Sequence, residues 1–214
     1  PLLLYLTLER SVPGSTRSNK GKLSFDSIKI SYFRDLKRFM LSIYIVKHKQ
    51  FYKLRDAEKI MKVLITGITG FIGAELAHKL LEEGHQVFGL VRHVVGRDIS
   101  CLKDIREKIT LVSCDITDYY SVKKSIEKVN PDTVMHLAAL SPVRLSFEHP
   151  FLYQKNTYLG AVNIAEAIRE LYGPEKVRLV VASTAEVYGI QSEIPFTEDI
   201  RLEPSSPYAV AKAS

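Results

Sequence analysis

Lys62-Val-Leu-Ile-Thr66-Gly67-Ile-Thr69-Gly70-Phe71-Ile72-Gly73 is the stretch that decides the fold. Its apolar run from Val63 to Thr66 indicates a buried strand, and Phe71 to Glu83 has the spacing of an amphipathic helix. Between them, three glycines with the spacing G-x-x-G-x-x-G allow a tight turn and a close approach of the backbone to a pyrophosphate at the helix N-terminus. The stretch predicts a dinucleotide-binding turn; a purely steric need for the glycines is the alternative.

The rest of the chain repeats the alternation of strand and helix. Apolar runs predict strands and longer periodic segments predict helices, in the order Gln86–Val91 (strand), Ile109–Ser113 (strand), Tyr119–Val129 (helix), Thr133–Leu137 (strand), Phe151–Leu171 (helix) and Val177–Ala182 (strand). Strands separated by helices of this length pair in parallel through right-handed crossovers. The prediction is an α/β fold, a doubly wound parallel sheet of the Rossmann type.

The charge of the chain is divided unevenly. The 214 residues carry a formal net charge of +6, but residues 1–60 hold 13 Lys/Arg against 5 Asp/Glu and residues 61–214 hold 17 against 19. The larger part has no basic stripe for a phosphate backbone, so we expect no nucleic-acid partner there. Nucleic-acid binding by the basic first 60 residues stays an alternative.

The cysteines and the apolar stretches argue against disulfide-rich, metal-binding and membrane-spanning classes of protein. Cys101 and Cys114 show neither a CxxC motif nor a histidine cluster, so we expect no disulfide framework and no metal site, and a reducing, cytoplasmic setting. The apolar stretches near the N-terminus are about eight residues long, whereas a membrane span needs roughly 20. We therefore expect no membrane partner.

Residues 1–60 combine polar and apolar stretches without a clear hydrophobic period, and this pattern ends abruptly at Met61. Met61 has the position of a natural start, so the hypothesis is that 1–60 is an added leader of unknown structure and that 61–214 is the dinucleotide-binding domain. A pair of surface helices packed on that domain is the alternative for the leader.

The residues after the second and third strands bear on the choice of cofactor. An acidic residue after the second strand would favour NAD, but this chain has Arg92, with Arg97 just beyond. Because a guanidinium suits a 2′-phosphate, NADP is preferred and NAD stays possible. Asp115, which precedes Ile116, is placed to accept from an adenine amino group or merely to cap the following turn.

Four motifs carry a resemblance. The glycine turn, His136-Leu-Ala-Ala139, Ser183-Thr-Ala-Glu-Val-Tyr-Gly189 and Tyr208-Ala-Val-Ala-Lys212 resemble the extended short-chain dehydrogenase/reductase (epimerase/dehydratase) family. From Met61 to Ser214 the chain is most similar to its GDP-mannose 4,6-dehydratase branch. It departs from that branch at Phe71-Ile72, the generic form for sugar epimerases and dehydratases, and at His93, where a second arginine is usual.

The resemblance implies two sets of site residues. The catalytic set is Thr184, Glu186, Tyr208 and Lys212. The cofactor-binding set is Gly67, Thr69, Gly70, Phe71, Ile72, Gly73, Arg92, Asp115, Ile116, Leu137, Ala138, Ala139 and Ser141, together with Tyr208 and Lys212. Asn156 either orders the site or is structural, and His136 is expected to be a core histidine.

The chemistry of the catalytic set can be reasoned from its residue types. Tyr208 and Lys212 lie four apart, on one face of a helix, so an ammonium beside the phenol would lower the pKa of Tyr208. Tyr208 could then exchange a proton with a sugar hydroxyl, and Glu186 could remove a C5 proton made acidic by a C4 ketone. The expected function is a nucleotide-sugar 4,6-dehydratase that converts GDP-mannose. The alternatives are a 4-epimerase, decarboxylase or 4-keto reductase of the same family, and a non-catalytic NADP-binding regulatory module.

Ser214 follows Lys212 by two residues, so we interpret the chain as an N-terminal fragment without its substrate-binding lobe. The expectations that follow are an uncovered sheet edge, a poorly anchored Tyr208 helix, no turnover by residues 1–214 alone, and a homodimer at full length.

Overall fold

The computed structural model describes residues 60–93, 99–173, 175–192, 196–197 and 199–214, and the backbone of two strands nearer the N-terminus. The predictions for the first 60 residues otherwise lie outside the described residues, as does Arg97.

Seven strands and six helices make up the described fold. The strands are β1 (Leu3–Leu8), β2 (Ile28–Phe33), β3 (Lys62–Thr66), β4 (Gln86–Val91), β5 (Ile109–Ser113), β6 (Thr133–His136) and β7 (Arg178–Thr184). The helices are α1 (Phe71–Glu82), α2 (Tyr119–Val129), α3 (Val143–Glu148), α4 (Pro150–Tyr153), α5 (Gly160–Tyr172) and α6 (Pro207–Ala213). A short π-helical segment, Gln154–Leu159 (the π-turn), joins α4 to α5. Two 3-10 segments cover Ser100–Lys108 and Ala185–Tyr188.

The sheet has the strand order β2-β1-β7-β6-β3-β4-β5. Its five strands from β7 to β5 are parallel, which confirms the predicted doubly wound sheet. The chain runs from β3 outward through β4 to β5 and then returns to β6 on the other side of β3. Such a reversal opens a crevice at the carboxyl ends of β3 and β6, where α/β sheets bind ligands.

Two apolar cores cover the two faces of this sheet. The first packs α1 and the 3-10 segment Ser100–Lys108 against residues such as Ile65 and Met135. The second packs α2 and α5 against residues such as Leu64 and Val134. Neighbouring strand residues face opposite sides, so the continuous apolar runs in β3 and β6 bury both faces.

Three differences from the sequence predictions concern the elements themselves. The fifth parallel strand continues to Thr184 instead of ending at Ala182, and the long helix contains the π-turn. The sequence pattern also missed α3 and the 3-10 segment Ser100–Lys108, because short helices have too few turns for a period to show.

The expectation of an uncovered edge beside β7 was wrong. β1 pairs with β7 antiparallel, from Leu3 opposite Thr184 to Thr7 opposite Val180, and β2 pairs with β1 in turn. The helix pair considered for the leader otherwise falls on residues that lie outside the described ranges. Within the described ranges, no helix combines the length and the apolar character needed to cross a membrane.

Candidate functional site

The glycine turn between β3 and α1 is shaped by contacts within the chain. Gly67 has φ of 71°, and its carbonyl oxygen accepts from the Gly70 N–H at 2.9 Å. A Cβ at Gly67 would stand 2.8 Å from the Ala138 nitrogen, and one at Gly73 would stand 2.2 Å from the Gly67 oxygen. Both glycines are therefore required for packing, which is the steric alternative considered above, and the packing brings the turn against the chain after β6.

The start of α1 has the features that a pyrophosphate needs. Gly70 caps the helix without a side-chain hydrogen bond, so no side chain competes for the N–H groups of the first turn. Phe71 is 79% exposed and Gly70 is exposed, which leaves the helix end accessible. Thr69 is half-buried, and its carbonyl oxygen lies 3.5 Å from Sγ of Cys101. The residues present therefore fit a dinucleotide.

Thr66 ties the glycine turn to β6. Its hydroxyl accepts from the Ala138 N–H at 3.0 Å and lies 2.8 Å from Nδ1 of His136, while its carbonyl accepts from the Leu137 N–H at 3.2 Å. Burial, with a smaller effect of the Lys212 charge, lowers the pKa of His136 to about 3, so the ring is neutral. His136 is a buried core histidine, as expected.

The segment after β6 follows the crevice edge. Leu137, Ala138 and Ala139 are half-buried, and Ser141 is exposed. These residues line the reversal point between β3 and β6, which is where the sequence placed part of the cofactor-binding set.

Arg92, after β4, points across the crevice. Its guanidinium lies 3.4 Å from Oδ1 of Asn156 in the π-turn. The Nδ2 of Asn156 donates to the Leu152 carbonyl at 2.9 Å, so the amide is oriented by both contacts. Arg92 is exposed and its charge also acts on the carboxylate of Asp115.

Asp115 performs the capping role that was considered for it. Its Oδ1 accepts from both the backbone N–H and the hydroxyl of Thr117, each at 2.9 Å. These two bonds are the main reason that its pKa is lowered, with the charges of Arg92 and Lys155 adding to the effect. Its neighbour Ile116 is held by α5: the Asn163 amide donates to its carbonyl at 2.9 Å.

Thr184, at the end of β7, connects the catalytic set. Its hydroxyl accepts from the Glu186 N–H at 3.3 Å, which caps the 3-10 turn Ala185–Tyr188. The phenol of Tyr208 on α6 lies near the same hydroxyl, which acts to lower the pKa of that phenol. One buried threonine is therefore next to both Glu186 and Tyr208.

The pKa of Tyr208 is raised in the chain by itself. Burial is the largest cause, and the nearby carboxylate of Glu186 adds to it, outweighing the bond from Thr184. The expected lowering of the Tyr208 pKa by Lys212 is therefore not found. The ring of Tyr208 packs edge to face on Tyr153, with centroids 6.3 Å apart at 89°.

Lys212 lies one turn after Tyr208, as its spacing predicts, but it is directed at the sheet. Its Nζ donates to the Ala182 carbonyl at 2.6 Å, and burial lowers its pKa to about 8. Together with the buried Ala209 and Ala211, this bond holds α6 against β7. The expectation of a poorly anchored Tyr208 helix was therefore wrong.

The structure also brings in residues that sequence reasoning missed. Ser206 caps α6 and its hydroxyl lies 3.5 Å from Oε2 of Glu186, while Tyr153 packs on Tyr208 and Asn163 holds Ile116. The signal for Ser206 was present, because serine followed by proline is a helix-start signature. Tyr153 and Asn163 lie in the predicted long helix, and no neighbouring residue in the sequence indicates what they contact.

Thr184, Glu186 and Tyr208 lie together at the end of β7, whereas Lys212 is directed at the Ala182 carbonyl. The residues predicted to bind the cofactor lie along the same carboxyl edge of the sheet. His136 lies between the two groups. It hydrogen-bonds Thr66 at the glycine turn, and the charge of Lys212 helps to lower its pKa.

The chain was compared with known proteins. The model of the GDP-mannose 4,6 dehydratase family matches residues 64–214. A GDP-mannose 4,6-dehydratase of Sordaria araneosa is 38% identical over 157 residues, which cover 73% of this chain and 29% of that protein. The GDP-mannose 4,6-dehydratase of Yersinia enterocolitica is 37% identical over 158 residues, which cover 71% of this chain and 42% of that protein.

Solved structures of related enzymes share the fold. The UDP-glucose 4-epimerase of Thermus thermophilus in complex with NAD superimposes with a TM-score of 0.60 at 31% identity, over 72% of this chain and 48% of that one. The chain thus spans less than half the length of each of these three proteins. The match over residues 64–214 confirms the resemblance read from the motifs, and the chain belongs to the GDP-mannose 4,6 dehydratase family.

Proposed function

We propose that the protein is a nucleotide-sugar 4,6-dehydratase that acts on GDP-mannose with tightly held NADP. The observation that carries the proposal is the cluster at the end of β7, where the Thr184 hydroxyl accepts from the Glu186 N–H and lies near the phenol of Tyr208. It unites a phenol for proton exchange at a sugar hydroxyl with a carboxylate for a second, separate proton.

The cofactor would be held by the residues at the β3–β6 reversal. The first turn of α1 offers backbone N–H groups to the pyrophosphate, and Arg92 offers a guanidinium to a ribose 2′-phosphate. Binding of that phosphate requires Arg92 to exchange its 3.4 Å contact with Asn156 for the new partner. A bound NADP would supply a nicotinamide able to take up hydride from the sugar and give it back.

The first proton transfer belongs to Tyr208. Its phenol takes the proton of the sugar 4-hydroxyl, while Thr184 hydrogen-bonds the reacting oxygen. The raised pKa of Tyr208 keeps the phenol of the chain by itself protonated at neutral pH, so a nearby positive charge has to favour the phenolate that accepts this proton. Lys212, one helical turn away, would supply part of this charge and hold the nicotinamide ribose, which requires its ammonium to leave the Ala182 carbonyl.

The second proton transfer belongs to Glu186. Once C4 is a ketone, the C5 proton becomes acidic, and the carboxylate of Glu186 removes it. The C5–H and C6–O bonds break and a double bond forms between C5 and C6. The proton held by Glu186 and the departing hydroxyl together make up the water that is lost. Saturation of the C5–C6 double bond then needs a hydride at C6, which the bound cofactor would supply, and a proton at C5, which replaces the one that Tyr208 took from the 4-hydroxyl.

A 4-epimerase is the second candidate, because the solved structure quoted above has that activity and shares this fold. Epimerisation needs Tyr208 and Thr184 but no base at C5. Glu186 therefore separates the two functions.

Incubation of the intact protein with GDP-mannose tests the proposal. The expected product is a 4-keto-6-deoxy sugar nucleotide, identified by its mass loss of one water. Glu186→Gln should lower the dehydration rate by about 10²- to 10⁴-fold and leave reduction of the bound nicotinamide by substrate intact. The matched control is Glu203→Gln, an exposed acid nearby, which should keep the wild-type rate. An epimerised product, or a Glu186→Gln variant with unchanged rate, would contradict the dehydratase.

Calorimetric titration with NADP and NAD tests the cofactor. Arg92→Ala should weaken NADP binding by roughly tenfold to a hundredfold and leave NAD binding within a factor of about three, because a charged hydrogen bond contributes about 1.5–3 kcal/mol. Arg92→Lys keeps the charge but loses the planar fork, so it should restore only part of the affinity. Equal losses for both cofactors would reject the 2′-phosphate contact.

A further inference from the structure

Ser206 occupies the junction between the sheet end and the Tyr208 helix. It is 6% exposed and caps α6 by accepting the Ala209 N–H at 3.1 Å. Pro207 follows at the first helical position, where its fixed φ favours the helix start. The position of the Ser206 side chain is therefore set by the helix that carries Tyr208.

The same hydroxyl has a second partner. It lies 3.5 Å from Oε2 of Glu186, which is 20 residues earlier in the chain. A serine hydroxyl has one proton to donate and two lone pairs to accept with. It can accept from the Ala209 N–H and donate to Glu186 at once.

These contacts bring four residues together. The Thr184 hydroxyl accepts from the Glu186 N–H and lies near the phenol of Tyr208, Glu186 meets Ser206, and Ser206 starts the helix that carries Tyr208 two residues later. The Ser206–Glu186 contact thus links α6 to the 3-10 turn after β7.

We propose that Ser206 is a positioning residue that fixes the carboxylate of Glu186 relative to Tyr208. The inference rests on the proposed dehydratase function, in which Glu186 and Tyr208 act on adjacent carbons of one sugar. A contact at Oε2 restricts rotation of the carboxylate, so that its other oxygen keeps a defined direction. Both groups have to meet the same sugar ring, and a misplacement of about 1 Å can cost about 10²-fold in rate.

Capping alone is the competing explanation, and the two roles predict different variants. Ser206→Ala removes both contacts. Ser206→Asp keeps an acceptor for the Ala209 N–H, since aspartate caps helices well, but it presents a like charge to Glu186 instead of a donor. Ser206→Thr keeps both functions of the hydroxyl.

The experiment measures Tm, kcat, KM and the kinetic isotope effect with GDP-mannose deuterated at C5, using the intact protein with its cofactor. We expect Ser206→Asp to keep the helix cap but to lower Tm, because it buries a second carboxylate beside Glu186, and to lose kcat by about tenfold to a hundredfold with KM little changed. The isotope effect on kcat should rise in Ser206→Asp and Ser206→Ala because C5 proton removal becomes slower. Ser206→Thr should restore kcat and the isotope effect.

The outcomes are separable. A Ser206→Asp variant with wild-type kcat and isotope effect would overturn the positioning role and leave capping. If Ser206→Ala fails to fold, Ser206→Asp and Ser206→Thr still decide. Wild-type protein that does not dehydrate GDP-mannose would instead overturn the proposed function, and the positioning role with it.

Discussion

The glycine turn and the Tyr208 cluster lie at the same edge of one sheet, but the first depends on backbone atoms and the second on side chains. The turn consists of backbone: Gly67 and Gly73 are required because a Cβ would collide with main-chain atoms 2.8 Å and 2.2 Å away. The cluster consists of side chains: the Glu186 carboxylate meets the Ser206 hydroxyl, and the phenol of Tyr208 lies near Thr184 and Glu186.

This difference affects how each region responds to change. A backbone site has few alternative conformations, so a substitution there alters the fold of the turn before it alters binding. A side-chain site can lose a functional group with the fold intact. The variants below examine this contrast, from the largest expected effect to the smallest.

Tyr208→Phe should have the largest effect. Loss of the phenol removes proton exchange at the sugar hydroxyl and should lower kcat by about 10²- to 10⁴-fold, or about 3–5 kcal/mol of barrier. The ring contact with Tyr153 remains, so Tm and NADP affinity should stay near wild type. Steady-state kinetics and thermal unfolding measure these effects.

Tyr153→Phe is the matched control for Tyr208→Phe. It removes a phenol whose O–H donates to the Pro142 carbonyl, outside the proposed chemistry. It should cost stability and leave kcat within a few-fold. A Tyr153→Phe protein as inactive as Tyr208→Phe would mean that the cluster depends on packing and not on the Tyr208 phenol.

Gly67→Ala tests the backbone site and should cost about 3 kcal/mol of unfolding free energy. Positive φ by itself costs a residue with Cβ about 1–2 kcal/mol, and the collision with Ala138 adds to it. Gly84→Ala is the control, because Gly84 also has positive φ, of 83°, but nothing within 4 Å of its Cβ position. Urea unfolding compares the two, and equal losses would show that the approach to Ala138 is unimportant.

His136→Gln concerns the link between the two regions. The folded pKa of His136 is about 3 and its ordinary value is 6.5, so below pH 6.5 the unfolded chain takes up a proton that the folded chain excludes. Stability is therefore lost as pH falls from about 6.5 toward 3. Between pH 8 and pH 5 the wild type should lose about 2 kcal/mol more than His136→Gln.

His78→Gln provides a control of opposite sign. The pKa of His78 is raised by its bond to the Ala74 carbonyl and by Asp104, so its contribution to stability grows as pH falls. Removal of His78 should therefore make the loss of stability at low pH steeper. If His136→Gln follows the wild-type pH profile instead, the ring is not held neutral in the fold.

Much of the fold could be predicted from local pattern. The bounds of β4, β5 and α2 agree with the prediction residue for residue, because each is a long apolar or amphipathic run with clear ends. The π-turn and α3 could not be predicted, since short segments acquire their shape from the helices and strands that they join. The pairing of β1 with β7 was missed for a related reason: strand pairing joins segments far apart in the chain.

By itself, the sequence determined the glycine turn, the alternation of parallel strands with helices, and the spacing of Tyr208 and Lys212. Each of these depends on neighbours a few residues away. Only the tertiary structure decided what those side chains face. Asp115 caps Thr117, Lys212 is directed at Ala182, and Ser206 meets Glu186 across 20 residues. Such contacts depend on how the sheet and α6 pack, and packing joins residues whose separation along the chain carries no periodic signal.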